Sequence, residues 1–105
     1  MAHSYSPRAL RDISAIYEYI AKDSPSGAQH VLDRIEEVAA MLGEYPFSGR
    51  LTRKRDIRVY PLNTYPYLIF FRQVPAKREV RILRVRHAAR RPVHLNDPAR
   101  EFVRA

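Results

Sequence analysis

"EVRILRVRH", residues 79–87, decides how the second half of this chain folds. Val80 and Ile82 alternate with Arg81, the period of two that marks a strand with one dry and one wet face. Leu83 then follows Ile82 directly, and the alternation slips by one. A slip of one residue sends every later side chain to the other face of a sheet. A β-bulge that absorbs the extra residue is therefore expected here, re-aiming the residues beyond it.

Working outward, "VPAKR" (74–78) reads as a turn, and "YPYLIFFR" (65–72) as the strand before it. Its apolar run is nearly continuous, as in a central strand covered on both faces. Pro66 puts the start of that run near an edge. "DIRVYPL" (56–62) alternates again, with Ile57 and Val59 on one face and Arg58 and Tyr60 on the other.

Before Gly49 the period changes from two to about four. Ser6-Pro7 reads as an N-cap and first helical position. Leu10, Ile13, Ile16 or Tyr17, and Ile20 then form an apolar stripe on a helix running to about Lys22. Ser24-Pro25 repeats the device. Ala28, Val31, Leu32, Ile35, Val38, Ala39 and Leu42 make a second stripe, with Gly43 ending it and Pro46 barring resumption. "HSYS" (3–6) is a short opening strand with Tyr5 facing inward. The tail after His87 holds two prolines and little period, and "PAREFVRA" (98–105) reads as a short helical turn.

The expected architecture is one α+β domain over residues 1–105, ordered β-α-α-β-β-β. A helical hairpin packs on one face of a curled, mainly antiparallel sheet. With 105 residues and 46% apolar content, the chain can bury a modest core. It has no cysteine, which removes disulfides, zinc-thiolate sites and cysteine nucleophiles, and suits a reducing cytoplasm. No apolar run is long enough for a membrane span or a secretory signal.

The net charge of +8 is unevenly placed. Residues 1–49 hold four Lys/Arg against seven Asp/Glu, and residues 50–105 hold fifteen against four, so the halves stand at −3 and +11. Such asymmetry points to a negatively charged partner, nucleic acid or acidic polypeptide. Otherwise it is the solvated face of a sheet.

Several chemistries are excluded. The three glycines are too scattered for a phosphate loop, and the serines lack a nucleophile elbow. His3, His30, His87 and His94 have no metal-like spacing, so neither a metal nor a cofactor is expected. What remains is the basic sheet: Arg58, Arg81, Arg84 and Arg86 on strands, Arg50, Arg53, Lys54 and Arg55 in the preceding loop, and His87, Arg90 and Arg91 at the exit. Arginine forks bind phosphate or carboxylate. A metal-free ribonuclease needs a proton acceptor, a proton donor and cations for the developing charge.

The chain resembles the RelE/ParE superfamily of bacterial toxins from type II toxin–antitoxin modules, over about Tyr5 to Arg91. "SPRALRDISAIYEYIAKDSPSGAQHVLDRIEE" (6–37) resembles the paired helices, "YPFSGR" (45–50) the Pro-x-x-Gly-Arg loop, and "VRILRVRHAARRP" (80–92) the last strand with its His-x-x-Arg ending. "AKDSPSGAQ" (21–29) and "HAARRP" (87–92) look like the ParE branch, whose members are known as inhibitors of DNA gyrase. RelE-like toxins cut mRNA in the ribosome, often with a tyrosine near the C-terminus, and no tyrosine follows Tyr67 here.

The resemblance thus implies a non-enzymatic gyrase poison. Its alternative is a ribosome-dependent endoribonuclease with His87 as acid or base and Arg81 or Arg86 stabilising charge. A plain nucleic-acid-binding domain is a third possibility, with affinity that falls steeply with salt. Under the gyrase reading Arg58, Arg81, Arg84, Arg86, Arg90 and Arg91 would contact the target or an acidic partner. The resemblance also implies a neutralising antitoxin with an acidic, partly disordered C-terminal segment. Tyr17, Ile20, Tyr67 and Phe71 are candidate anchors for it.

Overall fold

The computed structural model describes residues 1–89. Arg90, Arg91 and the expected turn at 98–105 lie outside the described residues.

The chain enters as β1 (Ala2–Tyr5), followed by α1 (Pro7–Ala21) and α2 (Pro25–Glu44). A short β2 (Arg50–Leu51), β3 (Arg58–Pro61), β4 (Tyr67–Val74) and β5 (Glu79–His87) complete one open sheet, in the order β1-β5-β4-β3-β2. β1 runs parallel to β5, and the other pairings are antiparallel. The expected α+β plan is thus observed, with one addition. The segment 50–55, expected as loop, begins with β2, because Arg50 and Leu51 pair with Val59 and Arg58.

The bulge lies where the pattern predicts it. Phe71 pairs with Ile82 and Phe70 with Arg84, leaving Leu83 as the extra residue. Val80 and Ile82 are buried before it and Val85 after it. In a regular ladder without the bulge, Leu83 would pair with Phe70 and Arg84 would occupy the place in the core that Val85 takes.

Both helices start as the Ser-Pro pairs predict. The Ser6 hydroxyl accepts from the Ala9 amide at 3.0 Å, and that of Ser24 from the Gly27 amide at 3.0 Å. Ser6 also ties α1 to the bulge. Its amide donates to the Ile82 carbonyl, and its hydroxyl donates to the Leu83 carbonyl at 3.0 Å. Replacing Ser24 with Ala is expected to cost about 1 kcal/mol in denaturant unfolding. Replacing Ser6 with Ala should cost more, about 2 kcal/mol, because the tie to the bulge is lost with the cap. Equal losses would mean that the tie contributes nothing.

The main core lies between the helices and the sheet. Ala9 from α1, Val31, Ile35, Val38, Ala39 and Leu42 from α2, and Ile69, Phe71, Val80, Ile82 and Val85 from the sheet are all buried. The α1 stripe differs in one position from the expected one: Leu10 is 54% exposed. Ala9, Ile13, Ile16 and Ile20 face the core instead, because small Ala9 lets α1 approach the sheet closely. Gly43 does not stop α2, which continues to Glu44. A side chain there would sit 2.6 Å from the Met1 carbonyl, so the glycine serves the packing of the N-terminus on α2. A smaller cluster, Val59 and Phe70 with Ile57 and Leu68, lies apart from the main core, so β4 is covered on both faces.

Candidate functional site

The basic residues of the sheet do not form one cluster. β1 ends at Tyr5 while β5 continues to His87, so the β5 edge beyond Ile82 has no strand beside it. α1 fills that place. Asp12 accepts the Val85 amide at 3.0 Å, as a neighbouring strand would have done. The same carboxylate holds the Arg84 guanidinium in a forked pair, 2.8 Å from Nε and 3.3 Å from Nη2. The Arg84 side chain is only 11% exposed. Arg84, a candidate partner contact, is thus largely buried and paired within the chain, because the uncovered strand edge brings a carboxylate to it.

Arg81 is also engaged. Its Nη2 lies 3.2 Å from the Glu79 carboxylate and its Nε 3.4 Å from the Ser4 hydroxyl. The Ser4 hydroxyl in turn donates to Glu79 at 2.7 Å. That bond holds the Glu79 carboxyl below the usual glutamate range, against partial desolvation, with further help from Arg81 and Lys77. A carboxyl lowered by folding adds stability that is fully present above its unfolded pKa of roughly 4.3. The contribution fades as pH falls through the lower folded value. Acid unfolding of Glu79→Gln should accordingly show a shallower loss of stability below about pH 4.3 than the parent.

Arg58 stands on β3. It donates to the Phe47 carbonyl at 3.1 Å, and its guanidinium lies 5.5 Å from the centre of the Phe47 ring. Arg86 and His87 are at the far end of β5. With Asp12, Ile16, Tyr19 and Tyr67 they line a shallow cleft of about 190 Å³ between α1 and the sheet. The His87 ring stands edge-on to Tyr67 at 5.3 Å, and its Nδ1 accepts the Ala89 amide at 3.1 Å. In the neutral ring the proton is therefore on Nε2.

Of the two cations considered for the nuclease set, Arg86 shares a cleft with His87. Arg81 stands six positions earlier on the same strand, about 20 Å away, and is paired with Glu79.

The candidate antitoxin anchors divide as well. Tyr17 and Ile20 are half-buried on α1, with Ile20 packed against the core. Tyr67 is 7% exposed and Phe71 fully buried. Both belong to the core cluster on a central strand, and of the two only Tyr67 borders the cleft beside His87. Among the described residues the large apolar side chains that do reach the surface are Met1, Leu10, Tyr19, Tyr45, Phe47 and Leu51. Phe47 lies between α2 and β2, and Leu51 in β2 itself, whose two residues are too few for a period to assign a face.

Among the described residues no group of three or more His, Asp or Glu is placed to hold a metal ion. No helix among them is long and apolar enough to cross a membrane.

Comparison with known proteins places this arrangement. The family model described as the ParE toxin of the type II toxin–antitoxin system parDE matches residues 4–92. The chain is 44% identical over 85 residues to Toxin RelE2 of Caulobacter vibrioides, covering 79% of this chain and 90% of that protein. It is 43% identical over 81 residues to Putative toxin Y4kP of Sinorhizobium fredii, covering 77% and 81%. Among solved structures, a chain of the chromosomal ParDE system of P. aeruginosa superposes with a TM-score of 0.71 at 26% identity, covering 83% of this chain and 95% of that one. The isolated E. coli RelE toxin shares the fold, with a TM-score of 0.55 at 18% identity over 88% of each chain. The extent of these matches, together with two helices on an open five-stranded mixed sheet, identifies the chain as a toxin of a type II toxin–antitoxin module, a member of the ParE family within the RelE/ParE superfamily.

Proposed function

We propose that the chain arrests growth by binding DNA gyrase in the cytoplasm, without catalysing a reaction, and that an acidic antitoxin segment neutralises it. The observation that carries this reading is the dispersal of the cations. Arg84 is held by Asp12 and Arg81 by Glu79. Arg58 lies against Phe47 on another strand. Phosphodiester cleavage needs an acid, a base and a charge-stabilising cation within hydrogen-bond reach of one phosphate. Contact with a protein asks only for a complementary surface, and the +11 half provides the charge for one. The match to the ParE model over residues 4–92 supports the same branch.

One observation favours the alternative, a ribosome-dependent endoribonuclease: His87 and Arg86 share the cleft beside Tyr19. The two readings separate at His87. Induced expression of His87→Gln should arrest growth as the parent does. Loss of arrest in a variant that is still folded would favour the nuclease.

A further inference from the structure

The helices lie chiefly over β1 and β5, and the segment leaving α2 turns away at Pro46. The outer end of the sheet therefore projects past the helical layer. There Pro46, Phe47 and Leu51 meet Arg58, Arg72 and Pro75 around a cleft of about 310 Å³. Phe47 is 71% exposed and Leu51 53%. Large apolar groups this exposed, side by side at a cleft, mark an interaction surface.

The cleft is lined by Arg58 and Arg72 and by one carboxylate, Asp56, which lies 3.9 Å from Arg55. The hairpin beside it, residues 50–55, adds Arg50, Arg53, Lys54 and Arg55 and no carboxylate. Arg72 is exposed, without a carboxylate partner among the described residues. The β2–β3 turn carrying Arg53, Lys54 and Arg55 is built to hold its shape. The Thr52 amide donates to the Ile57 carbonyl, and the Ile57 amide to the Lys54 carbonyl. The Thr52 hydroxyl accepts from the Lys54 amide. Asp56 takes a left-handed conformation with φ of 64° to close the turn. A turn ordered in advance loses little entropy when a partner docks.

We propose that this hairpin and its cleft dock an acidic segment of the inhibited protein, one that offers a single large apolar side chain. The apolar side chain enters between Phe47, Leu51 and Pro75. Its flanking carboxylates meet Arg58 and Arg72 at the cleft and Arg53 on the hairpin beside it. A nucleic acid fits less well, because stacking bases need open aromatic faces and one face of Phe47 is already covered by Arg58. The proposal rests on the reading that this toxin acts by protein contact.

Two measurements test it. The first titrates the labelled toxin with a short glutamate-rich peptide carrying one phenylalanine, and maps the shifted amides by NMR. Shifts should centre on residues 45–58 and 72–75 and weaken roughly tenfold in Phe47→Ser/Leu51→Ser, whose altered side chains are exposed. No shift there, or displacement of the peptide by oligouridylate of equal charge, overturns the proposal.

The second compares gyrase inhibition by the parent and by the same double variant. Inhibition by the parent with at least tenfold loss in the variant supports the surface. Equal inhibition by both overturns it while leaving the gyrase reading intact. Failure of the parent to inhibit removes the gyrase reading alone, and the peptide map then decides whether the surface serves another protein.

Discussion

Asp12→Ala should destabilise the fold by about 3 kcal/mol in urea unfolding, close to the largest loss from any single polar substitution here. The carboxylate accepts three bonds, two from Arg84 and one from the Val85 amide. Its removal leaves a largely buried guanidinium and a backbone donor on an uncovered strand edge, both without an acceptor. The cost comes from the stranded groups rather than from the pair as such. The double variant Asp12→Ala/Arg84→Met should therefore recover much of the loss, since it removes the buried charge as well. The loss should also change little with salt, unlike that of an exposed ion pair. A cost below about 1 kcal/mol would mean that Arg84 reaches water on its own, and would reopen it as a partner contact.

Phe71→Ala should cost about 4 kcal/mol, the range for emptying an aromatic site in a tight core. Phe71 is fully buried, pairs with Arg58 and Ile82, and joins the helix-facing cluster. The contrast is Phe47→Ser. Phe47 is mostly exposed, so its loss should shift the unfolding midpoint very little. Thermal melts of the two variants would separate a core phenylalanine from a surface one. A mild effect of Phe71→Ala would restore it as an antitoxin anchor.

What was legible in the sequence was whatever repeats locally. Ser6-Pro7 and Ser24-Pro25 announce helix starts because a cap and its proline are adjacent. The step from Ile82 to Leu83 announces the bulge because a strand tolerates no break in period while one face stays dry. β2 was not legible, since two residues carry no period. The pairing of Arg84 is not legible because its partner lies 72 positions away, and only the early end of β1 brings Asp12 to it. Tyr67 and Phe71 were weighed as partner contacts although they lie in the most apolar run of the chain. Burial on both faces of β4 depends on the second small cluster, and that forms only when β3 pairs with it. The surface at Phe47 and Leu51 was silent for the opposite reason: Phe47 lies outside any regular element and Leu51 in a strand of two residues, so neither has a predicted side.

The most direct test of the central claim is the supercoiling of relaxed plasmid by purified gyrase in the presence of the isolated chain. Dose-dependent loss of supercoiling, reversed by the cognate antitoxin, is the predicted result. Undiminished supercoiling with a sample shown to be folded would contradict the gyrase reading and move the search to the ribosome, with His87 as the first residue to change.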